Sequence, residues 1–513
     1  MNESRYNAAE EFIDKQVSAG FADKTCFIDP NKSITYKELQ SASYKMANLL
    51  HDAGIERESR IAILALDTVD WPVMFFGAIR AGVIPVALNT LLAADQYAYM
   101  LQDSRAKALF VSAALLPVVE PVLKDKSDTL KVFVLDGEAG QHNSFDNALA
   151  SASDHFEAVD THRDEVAFWL YSSGSTGLPK GVQHIHTSLM DTAKYYAQDV
   201  LGIRSDDVVL SAAKMFFAYG LGNSISFPMS VGATTILWPG RPTPDDMFAL
   251  MNEHQPSFFY GVPTLYAAML ASPDCTPDKT SAKLRICVSA GEALPADISR
   301  NWHDRFQVNI LDGVGSTEML HIFLSNSPEG CVYGTSGCAV PGYELRLVNE
   351  SNEDVSEGEI GELLVKGSST STGYWNQRQK SQQTFQGEWT RTGDKYTRDE
   401  NFRFTYCGRT DDMFKVSGIW VSPFEVESAL VDHDAVLECA VVAYEDSEGL
   451  TKPRAFVVLN ESGQAIEADQ LRESLKEHVK STIGKWKYPR EIEIVDNLPK
   501  TATGKIQRFK LRS

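Results

Sequence analysis

The chain has 513 residues, more than one hydrophobic core supports, because cores stop growing near roughly 250–300 residues; at least two domains are expected. Hydrophobic residues make up 43% and charged residues 23%, which excludes wholesale disorder. With 48 basic against 69 acidic side chains the formal net charge is -21, which argues against nucleic acid as a partner and requires any phosphate-bearing ligand to be met by a local cluster of donors.

Seven cysteines are scattered without a CxxC pair, so reduced thiols and a cytoplasmic setting are expected, not a disulfide framework or a zinc site. The first residues, Met-Asn-Glu-Ser-Arg-Tyr, show no basic region followed by an apolar run, so no secretory signal is expected. The apolar stretch from Trp71 to Leu88 is interrupted by Arg80 and too short to span a membrane, and no membrane association is expected.

In chain order, Thr35-Tyr36-Lys37-Glu38 reads as a capping box opening a helix toward Ala53, with Gly54 ending it. A buried strand over Arg60–Leu66, a helix over Trp71–Ala81 and a strand over Val83–Leu88 follow, an alternation that predicts parallel α/β architecture to about residue 345. Glu344–Val348 and Gly361–Val365 predict strands of a smaller β-rich section. After Gly408-Arg409 the pattern changes to a short strand at Phe414–Val416 and a second capping box at Ser422-Pro-Phe-Glu425. Strands are expected over Val436–Tyr444, Arg454–Leu459 and Glu491–Val495, with a helix striped by Leu471, Leu475, Val479 and Ile483 and closed by Gly484. The expected organisation is α/β: a large N-terminal domain over 1–409, and a small, mobile α+β domain over 410–513.

The apolar strand Val166–Tyr171 runs into Ser172-Ser-Gly-Ser-Thr-Gly-Leu-Pro-Lys-Gly181. Gly174 and Gly177 allow backbone N–H groups to turn inward as an anion nest, Ser172, Ser173, Ser175 and Thr176 add hydroxyl donors, and Lys180 adds a charge. The combination suits a polyphosphate. It is not a Walker A loop, since no Gly-Lys-Ser/Thr triplet stands at the required spacing, and it is not a Rossmann GxGxxG.

This decapeptide resembles the signature of the adenylate-forming superfamily of acyl-CoA synthetases, peptide-synthetase adenylation domains and beetle luciferase. Four further elements occur in the family's order. Gly315-Ser-Thr-Glu318 follows the apolar Val308–Leu311 and is similar to the family's Gly-x-Thr-Glu; the resemblance implies that Thr317 bonds the α-phosphate and Glu318 holds Mg2+ on the phosphates. In Trp389-Thr-Arg-Thr-Gly-Asp394 the resemblance makes Asp394 the acceptor for the ribose hydroxyls. In Gly408-Arg-Thr-Asp-Asp412, Arg409 is implied to contact ribose or α-phosphate, and Asp411 to be the hinge. Pro499-Lys-Thr-Ala-Thr-Gly-Lys505 resembles the family's catalytic-lysine loop, and Lys505 is expected to stabilise charge between the carboxylate oxygen and the α-phosphate.

Ser289-Ala-Gly-Glu-Ala-Leu-Pro295 is similar to the turn that packs on adenine, which brings Gly291, Glu292, Asp312, Gly313 and Val314 to the nucleotide side. Val314 stands where the family often has a stacking aromatic residue, and Phe217 where it often has a gating histidine that Phe cannot replace as an acid or base. Phe-Phe-Ala-Tyr-Gly-Leu-Gly-Asn223 together with Asp-Gly-Val-Gly-Ser-Thr-Glu318 looks like the benzoate–CoA ligase branch. The resemblance implies an acid pocket of Phe217, Ala218, Tyr219, Gly220, Ala290, Gly315, His321 and Ile322, with Tyr219 stacking on a ring and His321 offering a hydrogen bond. The implied reaction uses ATP, Mg2+ and coenzyme A on an aromatic carboxylate, in a monomer or homodimer. In its second half the small domain turns about Asp411 and brings Gly418 toward the pantetheine arm. A ligase for aliphatic acids, an enzyme loading a carrier protein, and a non-catalytic nucleotide binder are the other readings.

Overall fold

The computed structural model describes residues 4–124, 129–172, 178–416, 419–446, 450–485, 487–500 and 506–512. The chain divides into two compact units, residues 1–344 with 365–390, and residues 345–364 with 391–513.

The first unit is built on two large sheets. The eight-stranded one runs, in spatial order, Gly373–Tyr374, Lys180–Ile185, Val166–Ser172, Ile84–Ala87, Arg60–Leu64, Ala108–Ser112, Lys131–Leu135 and Asn143–Ser144. Its strands from Val166 onward pair parallel, which requires helical crossovers, and the sequence supplies them. Helix Tyr36–Asp52 is opened by Thr35, whose side chain accepts from the Glu38 N–H while Glu38 returns to the Thr35 N–H, and Gly54 follows it at a φ of +68°. Helix Asp70–Arg80 is apolar on every side and buried on every side, which is where the long apolar stretch goes. Arg80, 1% exposed, is neutralised by both carboxylate oxygens of Asp14 at 2.8 Å and lies over the Tyr44 ring. No helix among the described residues is long and apolar enough to cross a membrane.

The second sheet runs Cys338–Ala339, Ile322–Ser325, Ile310–Gly315, Ile286–Ala290, Phe258–Gly261, Val208–Ser211, Thr234–Ile236, Thr25–Ile28 and Ser33–Thr35. In both sheets the parallel order ends in an antiparallel hairpin: Val166–Ser172 with Lys180–Ile185 in one, Ile310–Gly315 with Ile322–Ser325 in the other. The Gly315–Glu318 motif stands at the turn of the second hairpin, and Ser172 and Lys180 of the first motif pair at the end of the first.

The second unit contains, from Arg391 on, the hairpin of strands Trp389–Arg398 and Phe404–Arg409, in register Asp394↔Arg409. It continues through the paired strands Phe414–Val416 and Ile419–Val421, helix Pro423–Val431, the antiparallel pair Val436–Glu445 and Thr451–Leu459, helix Ala468–Ile483 and strand Glu491–Ile494, which lies parallel to Thr451–Leu459. Leu471, Leu475 and Val479 are fully buried in its core, as their four-residue spacing predicts. The division expected at 409/410 falls inside this unit, because the Phe404–Arg409 strand packs forward: the Tyr406 ring meets Phe424 with centroids 5.3 Å apart. At Ser422 half of the expected capping box is present. The Ser422 hydroxyl accepts from the Glu425 N–H, while the Glu425 carboxylate is turned onto Lys487 at 2.6 Å.

Candidate active site

The strand Val166–Ser172 is apolar because it is buried between neighbours, and it ends in register with Lys180, the first residue of the return strand. Ser173, Gly174, Ser175, Thr176 and Gly177 lie outside the described residues. Lys180, expected inside the loop, instead leaves it. Its side chain is 10% exposed, its ammonium stands 3.6 Å from Glu318 Oε1 and lies 4.2 Å from the centre of the Tyr374 ring. Burial leaves a lysine few choices, and a carboxylate with an aromatic face satisfies it. At the base of the loop the Ser172 hydroxyl is buried without a partner among the described residues, which suits a site that receives an external acceptor.

The second hairpin carries Gly315-Ser-Thr-Glu318. A side chain at Gly315 would meet the His321 carbonyl oxygen at 2.5 Å, so only glycine lets the two strands of this hairpin close so tightly. At Gly313 it would meet Ile322 Cδ1 at 2.6 Å. The turn over 316–320 is held carbonyl by carbonyl. His184 Nε2 donates to the Thr317 oxygen at 2.7 Å, the Ser371 N–H to the Glu318 oxygen at 2.8 Å, and the Ser369 hydroxyl to the Met319 oxygen at 2.8 Å. Leu320 closes the turn at a φ of +67°, a strained value for a branched residue that persists only where the surroundings fix it. The Tyr374 hydroxyl donates to Glu318 Oε1 at 2.8 Å.

Glu318 therefore presents a positioned, half-buried carboxylate whose tyrosine and lysine contacts both fall on Oε1. Among the described residues there is no group of three or more metal-ligating side chains. A single positioned carboxylate fits Mg2+, which is bound by one or two carboxylates together with phosphate oxygens.

Asp312, expected on the nucleotide side, is 6% exposed. The Ser336 hydroxyl donates to its Oδ2 at 3.1 Å, Oδ1 has no partner among the described residues, and burial pushes the carboxyl up to about 8. A buried carboxyl of this kind, with an acceptor oxygen left over, fits the amino group of a base. Ala290 ends the strand Ile286–Ala290, and Gly291 and Glu292 turn out of it, Gly291 at a φ of +95° with open space where a side chain would stand. Val314 is half-buried and pairs with Leu324.

Of the residues expected at the acid pocket, Tyr219 and Gly315 lie against His321. Phe217 caps the short helix Ala218–Leu221 and packs on Phe216 with centroids 4.3 Å apart. Gly220 sits against the Lys214 carbonyl, where a side chain would be 2.0 Å from the oxygen. The Tyr219 hydroxyl lies 3.2 Å from both the Gly261 and Val288 carbonyls, and its ring is 5.6 Å from that of His321. His321 Nε2 faces the Tyr219 carbonyl at 3.1 Å and Asn223 Oδ1 at 3.2 Å; both are acceptors, because the Asn223 amide nitrogen points to Ser211. The only N–H of a neutral imidazole is thus committed within the protein, and burial holds the ring neutral, pushed down to about 3. The expectation that His321 donates a hydrogen bond to the acid is corrected on that ground: what remains is Nδ1, a buried acceptor without a partner among the described residues. Ile322 is 1% exposed and lies opposite Gly315 in the hairpin.

In the second unit Asp394 and Arg409 form an ion pair across their hairpin. Arg409 Nη1 donates to Asp394 Oδ1 at 2.9 Å and to the Thr392 carbonyl at 3.0 Å. Gly393, at a φ of +73°, makes room, since a side chain there would stand 2.8 Å from the guanidinium. Asp411 is exposed in the following turn. Lys505 and Gly418 lie outside the described residues. The flanks of the Lys505 loop pair as Lys500↔Ile506, with the Gln507 N–H on the Pro499 carbonyl at 2.8 Å, and Arg508 holds Glu427 at 2.6 Å.

His184, Ser369, Ser371 and Tyr374 are not among the residues expected at the site. The one local signal for three of them is the hydroxyl-rich run Ser368-Ser-Thr-Ser-Thr372 before Gly373-Tyr374; for His184 there is only its alternation with Lys180 along one strand.

A profile described as "AMP-binding enzyme" matches residues 14–375, and one described as "AMP-binding enzyme C-terminal domain" matches residues 425–505. The chain belongs to the AMP-binding enzyme family. This family member is 54% identical over 511 residues to a benzoate–CoA ligase of Thauera aromatica, covering 99% of this chain and 96% of that one. It is 52% identical over 507 residues to a 4-hydroxybenzoate–CoA/benzoate–CoA ligase of Rhodopseudomonas palustris, covering 99% and 94%. Among solved structures, a benzoate CoA ligase from Burkholderia xenovorans LB400 superposes with a TM-score of 0.91 at 49% identity, covering 99% of this chain and all of that one. The adenylate-forming resemblance and the two-part α/β fold expected from the sequence are thereby borne out.

Proposed function

We propose that this AMP-binding enzyme is an ATP-dependent aryl-CoA ligase for benzoate or a benzoate carrying a small ring substituent. In the first half-reaction a carboxylate oxygen attacks the α-phosphorus of ATP, the bond to the β-phosphate breaks, and pyrophosphate leaves. In the second, the sulfur of coenzyme A attacks the acyl carbonyl, the bond to AMP breaks, and the thiol proton passes to solvent. The observation that carries the reading is the joining of the two hairpins: the strand that returns from the glycine-rich loop delivers Lys180 to Glu318 and His184 to the Thr317 carbonyl. The benzoate–CoA ligases, at 52% and 54% identity over nearly the whole chain, support the aryl acid.

In this proposal the 172–181 loop and Thr317 hold the phosphates. Glu318 would hold Mg2+, which would neutralise part of their charge. Asp394 and Arg409 take the ribose, and Asp312 with the Gly291 turn takes adenine. Lys505, carried on the C-terminal loop, stabilises the pentavalent phosphorus of the first half-reaction. The segment after Asp411 moves between the halves, and Gly418 lets the pantetheine arm approach the backbone. The proposed acid pocket is apolar around Phe217, Ala218, Tyr219 and Ile322, which suits an unsubstituted ring, and His321 Nδ1 is a buried acceptor beside Tyr219 without a partner among the described residues.

The test is pyrophosphate release measured over benzoate, the hydroxybenzoates, aminobenzoates and straight-chain acids, with and without coenzyme A. Benzoate is expected to give the highest kcat/KM, and a CoA thioester is expected to form. A preference for hexanoate would replace the aryl assignment by an aliphatic one, and pyrophosphate release without thioester in the presence of coenzyme A would point to a carrier-protein acceptor.

A further inference from the structure

Thr317 and Glu318 are both assigned to the phosphates, yet neither reaches its place by the local sequence alone. Their turn ends in the left-handed Leu320, whose N–H donates to the Thr317 carbonyl at 3.2 Å, and its other fixings come from residues distant in sequence. What holds them is the edge strand Lys180–Ile185. Residues 180 and 184 lie on the same face of that strand, with Val182 between them. Lys180 reaches the Glu318 side chain, and His184 reaches the Thr317 main chain.

The His184 ring has little freedom to be elsewhere. It is 0% exposed, and it stacks on Phe168, its cross-strand partner, with centroids 5.3 Å apart and planes 21° from parallel. Its Nε2 lies 2.7 Å from the Thr317 carbonyl, an atom that can only accept, so the hydrogen is on Nε2. Nδ1 is buried with no partner among the described residues. A histidine kept only for packing would leave both nitrogens unmet and be costly compared with leucine or phenylalanine; here one nitrogen is used, and it is used on the main chain of a site residue.

We infer that His184 is a positioning residue for the adenylation step: its Nε2–H fixes the Thr317 carbonyl and through it the direction of the Thr317 hydroxyl and the Glu318 carboxylate. The inference rests on the assignment of these two groups to the phosphates. His184 touches neither ATP nor the acid. Its effect is confined to the nucleotide and its metal, and to the half-reaction that uses them.

The experiment compares His184→Leu, which fills the space and removes the donor, with His184→Gln, whose amide nitrogen has the reach of Nε2. Three quantities are read: calorimetric affinity for the Mg2+ complex of α,β-methylene-ATP, pyrophosphate release with benzoate, and thioester formation from supplied benzoyl-AMP and coenzyme A. Small misplacements of positioning groups cost up to about 100-fold, so His184→Leu is expected to weaken the nucleotide analogue about tenfold and slow pyrophosphate release about 100-fold. Thioester formation and the KM for benzoate should stay within about twofold, and His184→Gln should recover most of the nucleotide affinity. A folded His184→Leu that binds the analogue as the parent does overturns the inference, as does a folded His184→Gln no better than His184→Leu, or an equal loss in both half-reactions. Should His184→Leu not fold, His184→Asn, one bond too short to reach the carbonyl, takes its place beside His184→Gln. Tighter analogue binding by His184→Gln than by His184→Asn then supports the inference, and equal binding overturns it. Absence of pyrophosphate release from the parent with every acid would sink the aryl-ligase reading instead, and leave the calorimetric comparison to judge His184.

Discussion

The turn over 316–320 in the first unit and the hairpin with its C-terminal loop in the second unit are built in opposite ways. In the first, three successive carbonyls are captured by His184, Ser371 and Ser369, and the one carboxylate is met by a tyrosine and a lysine that are themselves nearly buried. In the second, the fixings are ion pairs nearer water: Arg409 with Asp394, Lys500 with Glu438, Arg508 with Glu427. Main-chain hydrogen bonds in a buried setting specify one geometry, whereas partly exposed ion pairs tolerate several at modest cost. A cradle that must be ready for phosphate suits the first construction. A segment that serves one half-reaction and then leaves suits the second.

The largest effect should come from the second region. Lys505→Ala is expected to slow pyrophosphate release by about 100- to 1,000-fold, the scale of losing one donor to a developing charge, while thioester formation from supplied benzoyl-AMP is largely kept. Equal loss in both half-reactions would mean that the loop does not act in one step alone, and the contrast between a fixed and a mobile region would lose its chief support. Next is Glu318→Gln, which keeps the shape of the side chain and an acceptor for Tyr374 but removes the charge. Pyrophosphate release should fall about 100-fold and the Mg2+ concentration for half-maximal rate should rise, read from a metal titration at saturating ATP. An unchanged metal dependence would leave the carboxylate as a partner of Lys180 and no more.

How much of this is legible in the sequence follows the range of each signal. The helix opened by Thr35 and Glu38, the stripe Leu471, Leu475 and Val479, and the strand before the glycine-rich loop rest on patterns a few residues long, and each is found in place. Spacing alone puts Lys180 inside the loop, because it cannot show that the chain turns straight back as an antiparallel strand at that residue. The pairing of His184 with Thr317 spans 133 residues, and no local period reports it. The hydrogen-bond capacity of His321 is visible in the sequence and suggests a donor, but the competing acceptors, Tyr219 and Asn223, become its neighbours only through the fold. At Ser422 the capping pattern is present, and a distant lysine, Lys487, takes the glutamate.

A smaller effect probes the ion pairs of the second unit directly. Arg508 faces Glu427, whose side chain is 10% exposed and also accepts from the Val441 N–H at 2.7 Å. Removing the arginine strands a carboxylate that keeps one donor, so Arg508→Met should destabilise the second unit by about 1–3 kcal/mol, less than the usual cost of breaking a fully buried pair. Urea unfolding of the variant checks this, and Glu427→Gln with Arg508→Met should return part of the loss if the pair is coupled. Additive losses would show the two side chains acting separately.

The last effect belongs to the first unit and is a matter of pH. Asp312 holds its proton up to about 8 in the fold, whereas an unfolded aspartate releases it near about 4. Below both values the two states carry the same proton, and Asp312 contributes no pH dependence. Between them the folded chain binds a proton that the unfolded chain has lost, so stability falls as pH rises, by up to about 1.4 kcal/mol per pH unit, and the fall ends once the folded carboxyl ionises. Asp312→Asn cannot ionise and lacks this slope. The melting temperature of Asp312→Asn minus that of the parent should therefore climb from about pH 5 to about pH 8 and then level, in the absence of nucleotide. A difference that stays constant with pH would mean the carboxyl is already ionised in the fold, and that this corner of the rigid region is less sealed from water than its 6% exposure indicates.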